Sequence, residues 1–510
     1  MTLAARKTAV RRPAIRVDVG AALNLVGAQM RWFALAFLFP LGIALGYRET
    51  VWPWLAALAV AAASGFALEG VTQGKERVGL REGFLVVALT WLLGALFVSV
   101  PYLLHEPQLR NPVDAYFEAM SGMTTTGASV LTDVEALDHA TAMWRQFSQW
   151  LGGMGIIVLA LAVLPRLRVG GRQLMESEAP GPEFEALTAS IRATARRLWF
   201  LYVALSAAQV VTLCAVDWTG ADSTMSPYEA FAHTFTTMPT GGFSTRARSI
   251  EEFGPASQWT IAIFMVIAGV NFALLFRGFV RRQWTRVVRD EELRLYLAIL
   301  ALGTLVILAD LLAKGIFAGE AAVRQAFFQA SSMMTTTGFA SADFNLWTSL
   351  TAIVLVALMF VGGSAGSTGG AIKPVRILLL GRILRRELDQ TVHREAVVPI
   401  RFNRRVLDER TLRGVSVFVL LYLLVFAVGA LLLVVEGART GGGSVSPFEA
   451  IASAATALGN VGPAFGEFGP MGSFEPMSHL AKSVMIVLMW MGRLELLPVV
   501  VLLTRSYWRA

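Results

Sequence analysis

Ten apolar segments, each near the length of a lipid bilayer, constrain this chain more than any other feature. They lie at about residues 30–46, 51–70, 83–104, 143–164, 197–217, 258–279, 294–314, 347–363, 413–435 and 481–503. A bilayer core takes roughly 20 apolar residues in a helix, so each segment is read as a spanning helix. Only 16% of the residues are charged, against about 25% in a soluble domain. The first segment starts late, is long, and is followed at once by the second, which is not the layout of a cleaved signal peptide.

The cations alternate along the chain. Arg6, Lys7, Arg11, Arg12 and Arg16 precede the first span, and every second loop after it is basic: Lys75, Arg77 and Arg81, then loops around Arg166–Arg197, Arg277–Arg289 and Arg376–Arg405. Arg505 and Arg509 close the chain on the same side. The intervening loops are poorer in cations and richer in carboxylates. By the positive-inside bias, both termini are cytoplasmic and the chain crosses the membrane ten times. The same loops account for the formal net charge of +8, so no nucleic-acid partner is needed to explain it. Cys214 is the single cysteine, and the five histidines are scattered without ligand spacing. No disulfide framework, thiolate metal site or nucleophile–base pair is present, and no covalently bound cofactor is predicted.

Four of the outside loops are long and resemble one another. They read YFEAMSGMTTTGAS from Tyr116, AFAHTFTTMPTGGFS from Ala230, FFQASSMMTTTGFA from Phe327 and EAIASAATALGNVGPA from Glu449. The second and fourth share a lead-in, SPYEAFA at Ser226 and SPFEAIA at Ser446. One unit therefore occurs four times: span, short helix, glycine-containing turn, span. The short helix has too few turns to cross. It must enter from outside and return, which is tolerated only against protein or a watery cavity. Its C-terminal end carries partial negative charge and points inward, which favours a cation. The extended stretch after it offers backbone carbonyls and Thr hydroxyls that can replace a cation's hydration shell. Four such loops about a pseudo-fourfold axis make a selectivity filter.

With these motifs the chain resembles the TrkH/KtrB/HKT superfamily of potassium transporters, from about residue 25 to its end. The resemblance implies an all-α polytopic fold of four membrane–pore loop–membrane repeats around one pore. Its two extra N-terminal spans are like the TrkH branch. The implied layout is 1–75 for the N-terminus and extra helices, 76–170, 190–285 and 290–390 for repeats one to three, and 405–510 for repeat four. The implied potassium filter is Thr124, Thr125, Thr126 and Gly127; Met238, Pro239, Thr240 and Gly241; Thr335, Thr336, Thr337 and Gly338; and Asn460, Val461 and Gly462. Aligning the second and fourth lead-ins needs a one-residue gap, so Gly242 is the alternative to Gly241.

The stretch GGSAGSTGGAIKP at Gly362–Pro374 interrupts the eighth span, and so many Gly and Ser residues are poor helix formers. It lacks the spacing of a phosphate-binding P-loop. By resemblance it is an intramembrane gating loop, with Gly362, Gly363, Gly366, Gly369, Gly370 and Lys373 as its working residues. Arg493 sits in mid-span, where a charge costs about 2.5–3.5 kcal/mol on insertion scales. Glu495 lies on another helical face and is a poor partner within that helix. The resemblance implies that Arg493 is a pore-facing gate; the alternative is a structural arginine held by a buried carbonyl. Asn271 and Asp310 read as interhelical hydrogen-bond glue. Glu118, Glu229 and Glu449 read as helix caps or cation collectors at the pore mouth.

The function these readings imply is potassium uptake across a bacterial inner membrane, with potassium as the transported ligand. Sodium-permeant or sodium- or proton-coupled transport on the same fold is the alternative, against which Gly127 argues, because sodium-permeant relatives carry serine there. A polytopic membrane enzyme would need an acid–base cluster at one face, and none is found. The implied partners are a second copy of the chain, a cytosolic nucleotide-binding regulator of the TrkA type and membrane lipids. The basic loops suit either docking or lipid headgroups.

Overall fold

The computed structural model describes residues 17–72, 79–162, 191–439 and 445–509. Arg6, Lys7, Arg11, Arg12, Arg16, Lys75, Arg77, Arg166, Arg168 and Arg172 lie outside these residues, as do parts of every predicted section except 290–390. Helices dominate the described residues, and the strands among them form a two-stranded ribbon, Arg401–Phe402 against Arg405–Val406, closed by Asn403 and Arg404 at φ 44° and 69°. Paired left-handed residues match the twist of a two-residue hairpin.

Each of the ten predicted segments falls mainly on helix among the described residues, but they divide into two kinds. Six helices are long and apolar enough to cross a membrane: Val19–Tyr47, Trp52–Val71, Arg81–His105, Ala195–Trp218, Glu291–Ala313 and Glu409–Arg439. These are the two leading spans and the first helix of each repeat. The first starts eleven residues before the expected position because Asp18 caps it, its side chain accepting the Ala21 N–H. In repeats two to four the second helix is shorter or broken. Pro255–Ala268 turns through 106° into Phe272–Phe279. Ser349–Val361 stops at Gly362, where φ is 77°. His479–Arg493 gives way at Leu494 before Leu497–Leu502 resumes. In the first repeat, His139–Ala162 carries Gly152 and Gly153 at the corresponding level. Glycine there has a packing cause: a Cβ on Gly152 or Gly492 would overlap the carbonyl oxygens of Met123 or Leu458, at the ends of two short helices.

The leading helices cross at Gly27 and Gly65. A Cβ on Gly27 would come within 2.8 Å of the Gly65 oxygen, so the backbones touch directly. Close approach through small residues replaces the hydrophobic drive that lipid cannot supply. Arg31 and Glu69 join the pair at 2.8 Å. In the third repeat Asp310 accepts hydrogen bonds from Thr348 and Thr351 across the helix pair, as its reading as glue required. Asn271 instead caps Phe272–Phe279, its Oδ1 accepting the N–H groups of Ala273 and Leu274.

Candidate functional site

Three of the four short helices begin alike. Asn111, Ser226 and Ser446 cap Pro112–Met123, Pro227–Thr237 and Pro447–Gly459, each with proline in the first turn. Proline lacks only an N–H that has no partner there. Gly319–Met334 starts without a side-chain cap.

All four end alike. Thr125, Thr240, Thr336 and Asn460 have φ of 52°, 55°, 60° and 55°. The N–H of the next residue (Thr126, Gly241, Thr337 and Val461) reaches back to the carbonyl of Ser121, Thr236, Ser332 and Thr456. This is a Schellman closure, which ordinarily places glycine or asparagine at the left-handed position. Threonine there is strained by about 1–2 kcal/mol, and such strain persists only where the surroundings impose it.

Two residues beyond each turn stands a glycine: Gly127, Gly242, Gly338 and Gly462, with φ of 83°, 79°, 82° and 116°. The register of the second segment is therefore Pro239, Thr240, Gly241, Gly242. Gly242 is the glycine in step with the other three, Gly241 corresponds to Thr126, and Met238 corresponds to Met123 and Met334. This corrects the reading that paired Gly241 with Gly127. The reason is the turn itself, whose hydrogen bonds count residues from the helix end.

The four glycines interlock. A Cβ on Gly127 would overlap the carbonyl oxygen of Gly241, one on Gly242 that of Thr337, and one on Gly338 that of Val461. A Cβ on Gly462 would come within 2.7 Å of the Thr126 oxygen, which closes the cycle. Four carbonyls at equivalent positions thus crowd one axis. A ring of carbonyl oxygens suits a dehydrated cation. All four glycines also line a cavity of about 250 Å³ on one side of the ring.

The hydroxyls are used differently. Thr124 Oγ1 donates to the Met120 carbonyl and lies 2.7 Å from Thr126 Oγ1; Thr335 repeats this with Ser331 and, at 2.8 Å, Thr337. Asn460 Nδ2 donates to Thr126 Oγ1. These side chains brace the filter segments from within and, through Asn460, against one another.

The carboxylates brace as well. Glu118 is fully buried and accepts hydrogen bonds from Ser129, Val130 N–H and Arg145, with Arg145 Nη2 at 2.7 Å. Glu229 binds Thr245 and Arg246, and Glu449 accepts the N–H groups of Ser446 and Glu467. Glu449 caps its helix as expected, but Glu118 does not collect cations at the mouth, because burial leaves it facing arginine. Glu118→Leu is expected to destabilise the fold by about 3–5 kcal/mol, the usual result of stranding one buried charge. Glu118→Leu with Arg145→Leu should recover most of that loss. Thermal unfolding in detergent measures both.

On the far side of the ring runs the glycine-rich stretch between Val361 and Pro374. Gly370 N–H donates to Thr336 Oγ1 at 2.8 Å, and Thr368 Oγ1 donates to the Met238 carbonyl at 3.0 Å. A Cβ on Gly370 would overlap the Gly459 oxygen, and one on Gly369 would come within 3.1 Å of the Thr335 oxygen. The stretch therefore lies against filter segments two, three and four. Gly366 accepts the Phe272 N–H, and Gly363 packs on Gly269. Arg493 is 2% exposed and donates to the carbonyls of Thr368 and Gly152 at 2.9 and 3.3 Å. It ties the stretch to repeat one, and both hydrogen bonds go to carbonyls.

Sequence reasoning missed the anchors of this loop. Glu292 accepts the N–H groups of Ala365 and Val375, at 2.7 and 3.3 Å. Glu495 pairs with Arg376 at 2.6 Å and Lys373 at 3.6 Å. Its partners come from repeat three, so the poor spacing to Arg493 has no bearing. Lys373 Nζ also reaches the Gly369 carbonyl at 3.5 Å.

The geometry has counterparts among known proteins. The TrkH family model, described as cation transport protein, matches residues 55–509. The chain is 37% identical over 494 residues to the Trk system potassium uptake protein TrkH of Escherichia coli K12, covering 95% of this chain and 98% of that protein. It is 32% identical over 495 residues to TrkG of the same strain, covering 96% and 98%. The crystal structure of the potassium transporter TrkH from Vibrio parahaemolyticus superposes with a TM-score of 0.86, at 34% identity, covering 96% of this chain and all of that one.

Proposed function

The chain belongs to the TrkH family of cation transport proteins, and on that premise we propose that it takes up potassium through a pore at the axis of its four repeats. The observation that supports this most is the closed cycle in which each of four glycines abuts the next segment's carbonyl. Proteins of this family are named potassium uptake proteins. Thr124–Gly127, Pro239–Gly242, Thr335–Gly338 and Gly459–Gly462 form the filter, and the 362–373 loop with Lys373 and Arg493 forms the gate. The layout is two leading spans (1–75) and four repeats (76–170, 190–285, 290–390 and 405–510).

The membrane is a bacterial inner membrane, with both termini cytoplasmic, as the basic loops favour. Potassium enters down the membrane potential, gaining about 2.3 kcal/mol per 100 mV. The relatives' names speak of a Trk system, which supports regulatory components beyond this chain. We assign these to a second copy and a cytosolic nucleotide-binding regulator of the TrkA type, which docks on the basic loops beside anionic lipid. Potassium is cargo, and no cofactor is bound covalently.

The test is flux into proteoliposomes holding the purified chain, under gradients of potassium, rubidium, sodium and lithium, beside Gly338→Ser. Potassium and rubidium should pass, sodium should pass poorly, and the variant should lose the preference. Unselective flux, or a variant that behaves as wild type, would overturn the reading.

A further inference from the structure

The second filter segment lacks the side chains that brace the others. In repeats one and three a threonine pair stands behind the ring, Thr124 with Thr126 and Thr335 with Thr337. In repeat two the same positions are Pro239 and Gly241, neither of which carries a hydroxyl. In repeat four they are Gly459 and Val461, and Asn460 reaches across to Thr126 and the Met489 carbonyl instead.

The space behind Gly241 is filled from another helix. Gln149, on His139–Ala162 of repeat one, is fully buried. Its Nε2 donates to the Gly241 carbonyl at 2.7 Å, and its Oε1 accepts the Phe243 N–H at 3.2 Å. A Cβ on Gly241 would overlap the Gln149 carboxamide. The glycine at 241 and the glutamine at 149 therefore require each other. The two hydrogen bonds grip both peptide groups that flank Gly242. They also engage one of the four ring oxygens directly, since the Gly241 carbonyl is the one that abuts Gly127.

We propose that Gln149 is a specificity-determining residue of the pore, its carboxamide standing where threonine stands in repeats one and three. By holding the Gly241 carbonyl in place, it keeps the ring near the size of a dehydrated potassium ion. An amide donor on that oxygen also draws electron density from it, so the four oxygens are not equal. Removing the carboxamide frees the oxygen to turn or to move inward, and a ring that can contract accepts sodium. The inference rests on the carbonyl ring being the ion path.

The experiment compares Gln149→Leu, Gln149→Ala, the double variant Gln149→Ala with Gly241→Thr, Gly338→Ser and the unaltered chain in the same proteoliposomes. It reads the potassium-to-sodium flux ratio, total potassium flux and thermal midpoint in detergent. Gln149→Leu removes both hydrogen bonds and should lower the potassium-to-sodium ratio roughly tenfold, about 1.4 kcal/mol of discrimination. The double variant supplies a hydroxyl and a Cβ where the carboxamide stood, and should recover part of the ratio. A merely structural glutamine would lower the thermal midpoint or total flux and leave the ratio unchanged. That outcome overturns the proposal, as does a double variant no better than Gln149→Ala alone. If Gly338→Ser alters the ratio and Gln149→Leu does not, the ring stands and the role of Gln149 falls. If neither alters it, the ring itself is not the filter.

Discussion

Arg493→Gln is expected to raise potassium flux through the purified chain about tenfold or more when no regulatory partner is present. The guanidinium donates to Thr368 of the loop and to Gly152 of repeat one, and both carbonyls are buried. Hydrogen bonds from a charged group are worth about 1.5–3 kcal/mol each. Losing the better of them shifts a two-state loop by roughly ten- to hundredfold. Glutamine is shorter and neutral, so the charge disappears together with the tie. Arg493→Lys separates the two contributions. It retains the charge but cannot span both carbonyls as a planar fork does. If the lysine variant stays as closed as the wild type, charge is the barrier; if it opens like the glutamine variant, the tie to the loop is. Unchanged flux in both would leave Arg493 a structural arginine held by carbonyls. The readout is rubidium uptake into liposomes at a fixed, valinomycin-independent potential.

Gly242→Ala should abolish discrimination between potassium and sodium, or abolish flux altogether. The residue has φ of 79°, and a Cβ there would overlap the Thr337 oxygen. The left-handed backbone costs about 1–2 kcal/mol for a non-glycine residue. Relieving the overlap costs about 1–3 kcal/mol more. The ring must open at one joint, which displaces its carbonyl. Gly220→Ala is the control. Gly220 has φ of 73° but nothing within 4 Å of a built Cβ, so it carries the backbone strain without the collision. It should cost only about 1 kcal/mol of stability and leave selectivity intact. Equal loss in the two variants would mean that the approach of Gly242 to its neighbour is not what shapes the pore.

These two positions also divide what was readable in the chain from what was not. Apolar length is a local property, and it sufficed for the membrane class and the leading pair of helices. The fourfold unit was equally legible, because repetition can be seen by laying a chain against itself. The irregular stretch after Val361 was visible from glycine density alone. In the second filter segment the same reasoning stopped one residue short. Two adjacent glycines satisfy the motif equally well as letters, and only the Schellman hydrogen bond from Gly241 to Thr236 counts the register from the helix end.

The partners of the buried polar groups were beyond reach for a related reason. Glu118 reads as a mouth carboxylate until Arg145 is found against it, and Glu495 reads as unpaired until Arg376 and Lys373 arrive from another repeat. Gln149 carries no signal of its own in a helix of mixed residues. Its meaning comes from the missing side chain at Gly241, 92 positions away. The amino-acid sequence by itself determined that this chain is a polytopic helical protein and how often its pore unit recurs, because hydropathy and repetition are written along the backbone. Which glycine closes the ring, which carbonyls Arg493 holds and which amide braces the second segment were decided only by tertiary structure. Those contacts join segments far apart in the chain, and a buried hydrogen bond depends on distance and direction in space.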